Sequence, residues 1–200
     1  MDILAANRAS HTATVIGEQL YILGGDMTDS QDEIVGKQFY RLNFSSSFVL
    51  SAHIPFENLT DRNIVPSHKS AAAAANGNTL ILFGGQPIDP RDSMSLIYTF
   101  NTANLTWSIP TITGDIPLNK SSLVAIRNRE KVYFFGGYHY NETDQNNYVN
   151  DMAILNMATL NFTKGGLNSQ QVPSPRGYYG AVLLPDSTIV YMGKKKSLFF

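Results

Sequence analysis

The chain has no cysteine among its 200 residues. Disulfide frameworks, thiol catalysis and cysteine-based zinc sites are therefore excluded. Charge is scarce and balanced, because 15 Lys and Arg residues oppose 16 Asp and Glu residues. This balance offers no basic field that would attract nucleic acid or an anionic membrane. No apolar run reaches the roughly 18 residues of a membrane-spanning helix. We therefore expect neither a nucleic-acid partner nor a membrane span.

The chain does contain enough apolar material to bury a core, since 43% of its residues are hydrophobic and 11% are aromatic. Its first ten residues, MDILAANRAS, lack the basic segment and the long apolar segment of a secretory signal. A structural repeat begins directly after them. These features predict a fragment of a longer chain, without the natural amino terminus.

A short apolar run that ends in two glycines occurs three times, and a fourth copy is altered. The runs are Leu20–Gly25, Thr79–Gly85, Val132–Gly137 and Thr188–Gly193, and Lys194 replaces the second glycine of the last copy. The copies are spaced by about 50 to 60 residues, and a fixed period of this size indicates a repeat architecture.

Each repeat can be divided into four short runs separated by turns, which predicts a meander of four antiparallel strands, the size of one propeller blade. The first runs are Thr12–Ile16, Ala71–Ala75, Ser122–Ile126 and Gly180–Leu184. The glycine runs come second. The third runs are Gln38–Leu42, Leu96–Phe100 and Asp151–Leu155, and the fourth runs centre on Val49, Trp107 and Phe162.

The glycine pairs and the aromatic residues that follow them resemble the kelch repeat. The second copy carries the whole pattern, and the first has Val49 where a tryptophan is expected. The third copy has Ala153 in place of the tyrosine. The residues of this motif are Gly24, Gly25, Tyr40, Gly84, Gly85, Tyr98, Trp107, Gly136, Gly137 and Phe162. We interpret all of them as architecture: glycine permits close backbone approach and positive φ, and large aromatic side chains fill the space between blades.

The opening of the repeat supports the resemblance more loosely. The stretch Arg8–Thr12 is similar to the Arg-x-x-His-Ser opening of kelch repeats, and we align it with Lys69-Ser70, Lys120-Ser121 and Tyr179-Gly180. The resemblance implies an all-β kelch-type propeller segment, of the kind often labelled galactose-oxidase-like in fungal genomes. The expected blades are residues 8–51, 67–108 and 119–164, with a partial blade at 176–193 and an aberrant tail at 194–200. These blades would be too few to close a ring, and the remaining blades of a full-length chain are an expected partner.

Long segments are predicted at one end of the blades only. In a meander, the loops between strands 2 and 3 emerge on the same face as the links between blades. The loops are Asp26–Lys37, Gln86–Ser95 and Tyr138–Asn150, and the links are Ser51–Ser67, Ile109–Asn119 and Lys164–Arg176. Long loops on a rigid scaffold are where binding residues usually lie. The candidate binding residues on this face are Tyr138, His139, Tyr140, Tyr148, Phe56 and Arg91.

No cofactor or metal site is predicted. The four histidines, His11, His53, His68 and His139, show no metal-ligand spacing. The acidic cluster of Asp26, Asp29, Asp32 and Glu33 lacks the spacing of a calcium loop, which favours a solvated acidic loop. The copper-radical chemistry of galactose oxidase requires a tyrosine crosslinked to a cysteine, so a chain without cysteine cannot hold it. Fold resemblance therefore implies no such activity.

The leading functional hypothesis is a non-enzymatic interaction module that binds a protein or a glycan on the long-loop face. One alternative is a truncated part of a propeller enzyme, an oxidase or a small-molecule lyase, whose site lies outside this segment. Another is structural support for a neighbouring domain. Six Asn-x-Ser/Thr sequons favour a secretory or extracellular glycoprotein, although turn composition alone could also produce them. They begin at Asn43, Asn58, Asn104, Asn119, Asn141 and Asn161.

Overall fold

The computed structural model describes residues 8–27, 33–45, 47, 54–139, 148–166 and 172–193. These residues form mostly short antiparallel strands, which confirms the predicted all-β class and the kelch-type blades. The chain divides into two compact units, Met1–Ile109 and Pro110–Phe200, and each unit is described by itself. No helix in the described ranges is long and apolar enough to span a membrane.

The first unit contains two four-stranded meander sheets and two small ribbons. Its helices are α1 (Glu33–Lys37) and a 3-10 turn (Thr60–Arg62). Its strands, in chain order, are β1 (Arg8–Ala9), β2 (Thr12–Ile16), β3 (Gln19–Leu23), β4 (Asp26–Met27), β5 (Phe39–Asn43), β6 (Phe56–Asn58), β7 (His68–Lys69), β8 (Ala72–Asn76), β9 (Thr79–Phe83), β10 (Gln86–Pro87), β11 (Ile97–Asn101) and β12 (Thr106–Ser108).

The first blade is the sheet β2–β3–β5–β6, and its fourth strand differs from the prediction. β6 pairs with β5 so that Phe56 lies opposite Leu42, and Glu57 accepts a hydrogen bond of 2.9 Å from Nε of Arg41. This cross-strand ion pair helps to set the register. Phe56 is therefore a strand residue and does not lie in an irregular link between blades, whereas its role in binding stays a prediction. Val49 lies outside the described residues.

The second blade is the sheet β8–β9–β11–β12, and it follows the predicted order. The alanine tract forms strand β8, because the turn at Gly77 (φ +53°) directs the chain back into β9. Asn101 closes the turn between the third and fourth strands, since its side-chain oxygen accepts the N–H of Ala103 at 2.9 Å. Asn156 makes the same contact with Ala158 at 2.9 Å in the third blade. The asparagine that ends each third strand thus has a capping role.

The second unit contains the third blade, β14–β15–β16–β17, with an added fifth strand, and a separate hairpin. The added strand, β13, runs parallel to β17 and lies within Ile109–Asn119, which we predicted to be a link between blades. The first strand of this blade begins at Ala125 and not at Ser122, because Ser122 has a φ of +59° and its carbonyl accepts the N–H of Tyr178 at 2.8 Å. The strands are β13 (Thr113–Gly114), β14 (Ala125–Asn128), β15 (Lys131–Phe135), β16 (Met152–Asn156), β17 (Asn161–Lys164), β18 (Gly180–Leu183) and β19 (Ile189–Met192).

Aromatic side chains form the shared core of the first two blades. The ring of Phe39 lies 4.9 Å from Phe100 and 5.4 Å from Trp107, and the ring of Tyr21 lies 5.8 Å from Phe100. Tyr98 belongs to the same cluster and is 3% exposed. Since Tyr21 and Phe39 belong to the first blade and Phe100 and Trp107 to the second, large aromatic residues do fill the space between these two blades.

Main-chain hydrogen bonds join neighbouring blades at repeated positions. In the first unit, Gly25 donates to the carbonyl of His68 at 2.9 Å, and Ser70 donates to Ser10 at 2.7 Å. In the second unit, Gly137 donates to Arg176 at 2.9 Å. The Tyr178–Ser122 bond corresponds to the Ser70–Ser10 bond. We call this recurring pair of bonds the blade joint.

The blade joint explains why a glycine pair ends each second strand. Gly24 and Gly25 have φ values of +67° and +101°, which residues with a side chain rarely adopt. A Cβ atom on Gly24 would lie 2.9 Å from the carbonyl oxygen of His68. Only a residue without a side chain therefore lets the two blades approach closely enough to form the joint.

Candidate interaction surfaces at the long-loop ends

Each loop that follows a glycine pair begins with residues paired to the segment that enters the blade. In the first blade, β4 pairs with β1, and in the second blade β10 pairs with β7. In the third blade, a single bridge joins Ser121 to Tyr138 at the same place. The segment that enters each blade thus pairs with the first residues of that blade's long loop. This pairing fixes the position at which the loop begins.

A basic or histidine residue precedes each first strand at the equivalent place, and the observed register differs from the predicted one. Ser10, Ser70, Ser122 and Tyr178 align, because all four have a φ between +53° and +59°. The residues two positions before them are Arg8, His68, Lys120 and Arg176. Lys120 therefore corresponds to His68 and not to Lys69. Positive φ at a non-glycine residue is a backbone property that residue type did not reveal.

The environment of each of these four residues differs. Lys120 has a side chain only 1% exposed, and its Nζ donates to both oxygens of Asp151 at 2.9 and 3.0 Å. Burial lowers the pKa of Lys120, and Asp151 opposes that change. Arg8 donates to the carbonyl of Gly24 at 3.0 Å and to the side chain of Gln38, and it lies over the ring of Tyr40 at 5.5 Å. These contacts fix the entry segment to the blade.

His68 is buried between the first two blades and is 1% exposed. Its Nδ1 donates to the carbonyl of Pro66 at 2.8 Å, and within the described ranges its Nε2 has no hydrogen-bond partner. Burial, the largest cause, lowers the pKa of His68 to about 4, and nearby Lys37 acts in the same direction. The imidazole is therefore neutral at physiological pH, and its role at this place is packing against Gly24.

In the second unit, three candidate binding residues lie together at the long-loop end of the third blade. The rings of Tyr138 and Tyr148 meet edge to face at a centroid distance of 5.4 Å, and a backbone bridge joins the two residues. His139 follows directly, and its Nδ1 donates to the carbonyl of Asn119 at 2.9 Å. All three side chains are half-buried, so part of each remains accessible. Tyr140 lies outside the described residues.

In the first unit, Arg91 is the candidate on the second loop. Its side chain is 87% exposed, and its Nε donates to the two oxygens of Asp89 at 2.9 and 3.0 Å. This contact with Arg91 lowers the pKa of Asp89 to about 2. The guanidinium thus already holds a carboxylate from its own loop, which reduces its capacity to bind an anionic partner.

The acidic loop of the first blade is only partly described. Asp26 forms an ion pair of 2.8 Å with Lys69, and both side chains are less than 20% exposed. Asp26 therefore links two ribbons, β4 and β7, and is not simply solvated as predicted. Asp29 and Asp32 lie outside the described residues. Within the described ranges, no group of three or more His, Cys, Asp or Glu residues could hold a metal ion.

The meander sheets, the glycine pairs with positive φ and the blade joints together define kelch-type β-propeller blades. The model of the KLHDC2/KLHL20/DRC7 Kelch-repeats domain matches residues 10–200, so the chain belongs to this kelch-repeat family. Proteins of the kelch-repeat family generally act as protein-interaction modules. This family gives no support to the galactose-oxidase label or to a glycoprotein.

The curated relatives are distant and much longer. Tip elongation aberrant protein 1 of Schizosaccharomyces pombe is 26% identical, over 97% of this chain and 16% of the relative. A probable serine/threonine-protein kinase of Dictyostelium discoideum is 24% identical, over 94% of this chain and 13% of the relative. Human Kelch domain-containing protein 3 is 22% identical, over 94% of this chain and 48% of the relative. The chain thus spans less than half the length of each of these three.

Proposed function

We propose that this chain is a non-enzymatic interaction module that binds a protein partner through its long-loop surfaces. The observation that carries the proposal is the packed pair Tyr138–Tyr148, which is half-buried and held by a backbone bridge. A preordered aromatic pair offers contact area at low entropic cost, and tyrosine is enriched at protein interfaces.

A protein partner fits this surface better than a glycan partner. Sugars stack on the open face of an aromatic ring, whereas here the edge of one tyrosine meets the face of the other at an interplanar angle of 68°. Gly177 also lies against Tyr148, so that a Cβ atom there would come within 2.7 Å of the ring. Tyrosine, with an apolar ring and a polar hydroxyl, is enriched at interfaces between proteins.

A buried ion pair belongs to the described residues near the tyrosines. The buried cation Lys120 is neutralised by Asp151, whose side chain remains 55% exposed. This is consistent with the even balance of acidic and basic residues in the whole chain.

Site-specific photocrosslinking tests the proposal. A benzoylphenylalanine is placed at Tyr138 or Tyr148, and in a matched control at Asn104, which lies in a tight turn between strands 3 and 4. We expect crosslinked protein partners from the two long-loop positions and none from the turn. Crosslinks from the turn alone, or equal crosslinks from all three positions, would contradict binding through the long-loop surface.

A further inference from the structure

Ser174 is the one serine or threonine of the chain that a proline follows. Of the nine prolines, only Pro175 comes directly after such a residue, and Arg176 follows it. Because proline has no N–H, an enzyme that reads this sequence needs an apolar pocket for Pro175 and no main-chain acceptor there. This is the substrate class of proline-directed protein kinases. The sequence therefore makes Ser174 a candidate phosphate acceptor.

The segment around Ser174 has the form that a kinase requires of its substrate. Residues 173–176 belong to no helix or strand, Ser174 is half-buried and Pro175 is exposed. Within the described ranges, the carbonyl of Pro173 accepts a long hydrogen bond of 3.3 Å from the side chain of Asn150, and the main-chain hydrogen bonds of the segment begin only after Pro175. The two residues can therefore enter an enzyme cleft at little cost in local stability.

Arg176 directs its guanidinium at the same serine. Its Nε donates to the carbonyl of Ser174 at 3.1 Å, and its Nη2 donates to Oγ of Ser174 at 3.3 Å. Both acceptors are neutral, and no carboxylate pairs with Arg176 in the described part of the chain. Lys120, at the equivalent place of the third blade, donates instead to Asp151. Arg176 is thus a half-buried cation without an anion.

A phosphate on Ser174 would supply the missing anion. A phosphorylated serine carries a charge of about −1.5 to −2 near pH 7 and three strong acceptor oxygens. These oxygens extend outward from Oγ, which already lies at hydrogen-bond distance from the guanidinium of Arg176. A pair of parallel N–H···O bonds between guanidinium and phosphate is shorter and stronger than the present bonds to a hydroxyl and a carbonyl.

Main-chain contacts hold Arg176 in place to receive the phosphate. Its carbonyl accepts the N–H of Gly137 in the blade joint at 2.9 Å. The next residue, Gly177, lies against the ring of Tyr148, so that a Cβ atom there would come within 2.7 Å of the ring. Charge added at Ser174 therefore enters the neighbourhood of the tyrosine pair.

We propose that Ser174 is the phosphorylation site of a proline-directed protein kinase and that Arg176 binds the phosphate. The kinase transfers the γ-phosphoryl group of ATP to Oγ of Ser174. The bond between the γ-phosphorus and the leaving oxygen of ADP breaks, the hydroxyl proton passes to the base of the kinase, and ADP is released. The site does not rest on the proposed function, because both of its parts are measured without a binding partner.

A kinase assay tests the first part. The 200-residue protein is incubated with ATP, Mg²⁺ and a cyclin-dependent kinase, and the modified residue is located by tandem mass spectrometry. We expect one phosphate, at Ser174, and none there in Ser174→Ala. Pro175→Ala should be modified at least about tenfold more slowly, the usual effect of one lost apolar contact in a specificity pocket. Ser108→Ala, at an exposed serine that no proline follows, should be modified like the unaltered protein.

The free peptide QQVPSPRGYY, residues 170–179, separates sequence from accessibility. We expect the folded protein to be phosphorylated at a rate within about tenfold of the peptide, because a segment with so few main-chain bonds opens at a small free-energy cost. Modification of the peptide alone, or of the protein only after heat denaturation, would show that the fold hides Ser174 and would overturn the proposal. Failure of both substrates would overturn it as well.

Phosphorus NMR tests the role of Arg176. Phosphoserine is introduced at position 174 during translation, so that this measurement does not depend on the kinase. The second pKa of phosphoserine is ordinarily about 6, and a bound guanidinium lowers it because the cation stabilises the dianion. We expect this pKa to lie below about 6 in the otherwise unaltered protein and to return to about 6 in Arg176→Gln, which keeps the main-chain bonds of that residue.

Arg127→Gln is the matched control for this titration. Like Arg176, Arg127 donates from Nε to a main-chain carbonyl two residues away, here that of Arg129 at 2.8 Å. The variant should keep the lowered phosphate pKa. An ordinary pKa in the protein with native Arg176, or a lowered pKa that persists in Arg176→Gln, would refute binding of the phosphate by Arg176.

Discussion

Substitution of Trp107 tests whether aromatic packing between the first two blades contributes to stability. Trp107 is the only tryptophan of the chain, and it contacts Phe39 and Phe100 at ring distances of 5.4 and 5.0 Å. Its Nε1 is buried and has no hydrogen-bond partner among the described residues. Replacement by Ala removes both ring contacts, whereas replacement by Phe keeps an aromatic ring and removes the unpaired N–H.

These contacts predict different costs for the two variants. Truncation of a buried large aromatic to Ala costs roughly 3–5 kcal/mol, and the partial exposure of Trp107 places the expected value near 3 kcal/mol. In Trp107→Phe, the lost contact area is offset by removal of the unpaired donor, which alone can cost about 1–3 kcal/mol. We therefore expect Trp107→Phe to change the free energy of unfolding by less than about 1 kcal/mol.

Urea unfolding monitored by far-UV circular dichroism measures both variants, because neither retains tryptophan fluorescence. Val15→Ala is the matched control, since Val15 is 56% exposed and its truncation should change stability by no more than about 0.5 kcal/mol. An equal loss in Trp107→Phe and Trp107→Ala would contradict the reasoning that removal of the unpaired N–H offsets the lost contact area. An unchanged free energy of unfolding in Trp107→Ala would refute the packing role of this residue between the two blades.

Three further predictions concern the blade joint, pH and binding. Gly17→Ala should lower the free energy of unfolding by about 1 kcal/mol, because only its positive φ opposes a side chain. Gly24→Ala should lower it clearly more, because the added Cβ would also meet the carbonyl of His68. Thermal unfolding of the two variants measures the difference. The pKa of His68 is about 4 in the folded state and 6.5 in the unfolded state. The contribution of the neutral imidazole to the free energy of unfolding should therefore be fully present above pH 6.5 and be lost as the pH is lowered toward 4. Urea unfolding of His68→Gln should show a smaller loss over the same pH range. Joint substitution of Tyr138, Tyr140 and Tyr148 by Ser should weaken partner binding in a pull-down and leave the circular dichroism spectrum unchanged; unfolding would assign these tyrosines to the core.

Sequence alone predicted the parts of the fold that depend on local pattern. The second strands were found because each is a short apolar run that ends at a glycine pair, as at Leu23 before Gly24. The alanine tract was recognised as strand β8 because turns close it on both sides. These features depend on residue type over a few positions, and a single sequence displays them directly.

The errors arose where partners distant in sequence decide the structure. The fourth strand of the first blade was placed at Val49 because spacing was taken from the second blade, whereas cross-strand pairing selects Phe56–Asn58. Likewise, β13 was assigned to a link because Thr113 and Gly114 have no strand pattern of their own, and their pairing with Asn161 and Phe162 is nonlocal. The contact of Lys120 with Asp151 was missed because the two residues lie 31 positions apart.

The structure places the candidate binding residues in different environments. All six were chosen because their loops and links were expected at one end of the blades, and Tyr138, His139 and Tyr148, which belong to one loop, do lie together. Phe56 and Arg91 were chosen on the same ground, and the structure shows Phe56 in a strand and Arg91 bound to Asp89. Residue type alone does not distinguish an accessible side chain from one that is already paired.

The blade joint has a consequence for the exchange of blades between kelch proteins. Its bonds run between main-chain atoms, Gly25 to His68 and Ser70 to Ser10 in one unit and Gly137 to Arg176 and Tyr178 to Ser122 in the other. The acceptor carbonyl is provided by histidine in one case and by arginine in the other, so the side chain there is free to vary. A blade transplanted from a foreign kelch protein should dock here if it keeps the glycine pair and the left-handed residue. Chimeric propellers could then be assembled blade by blade without redesign of the side chains at each contact between blades.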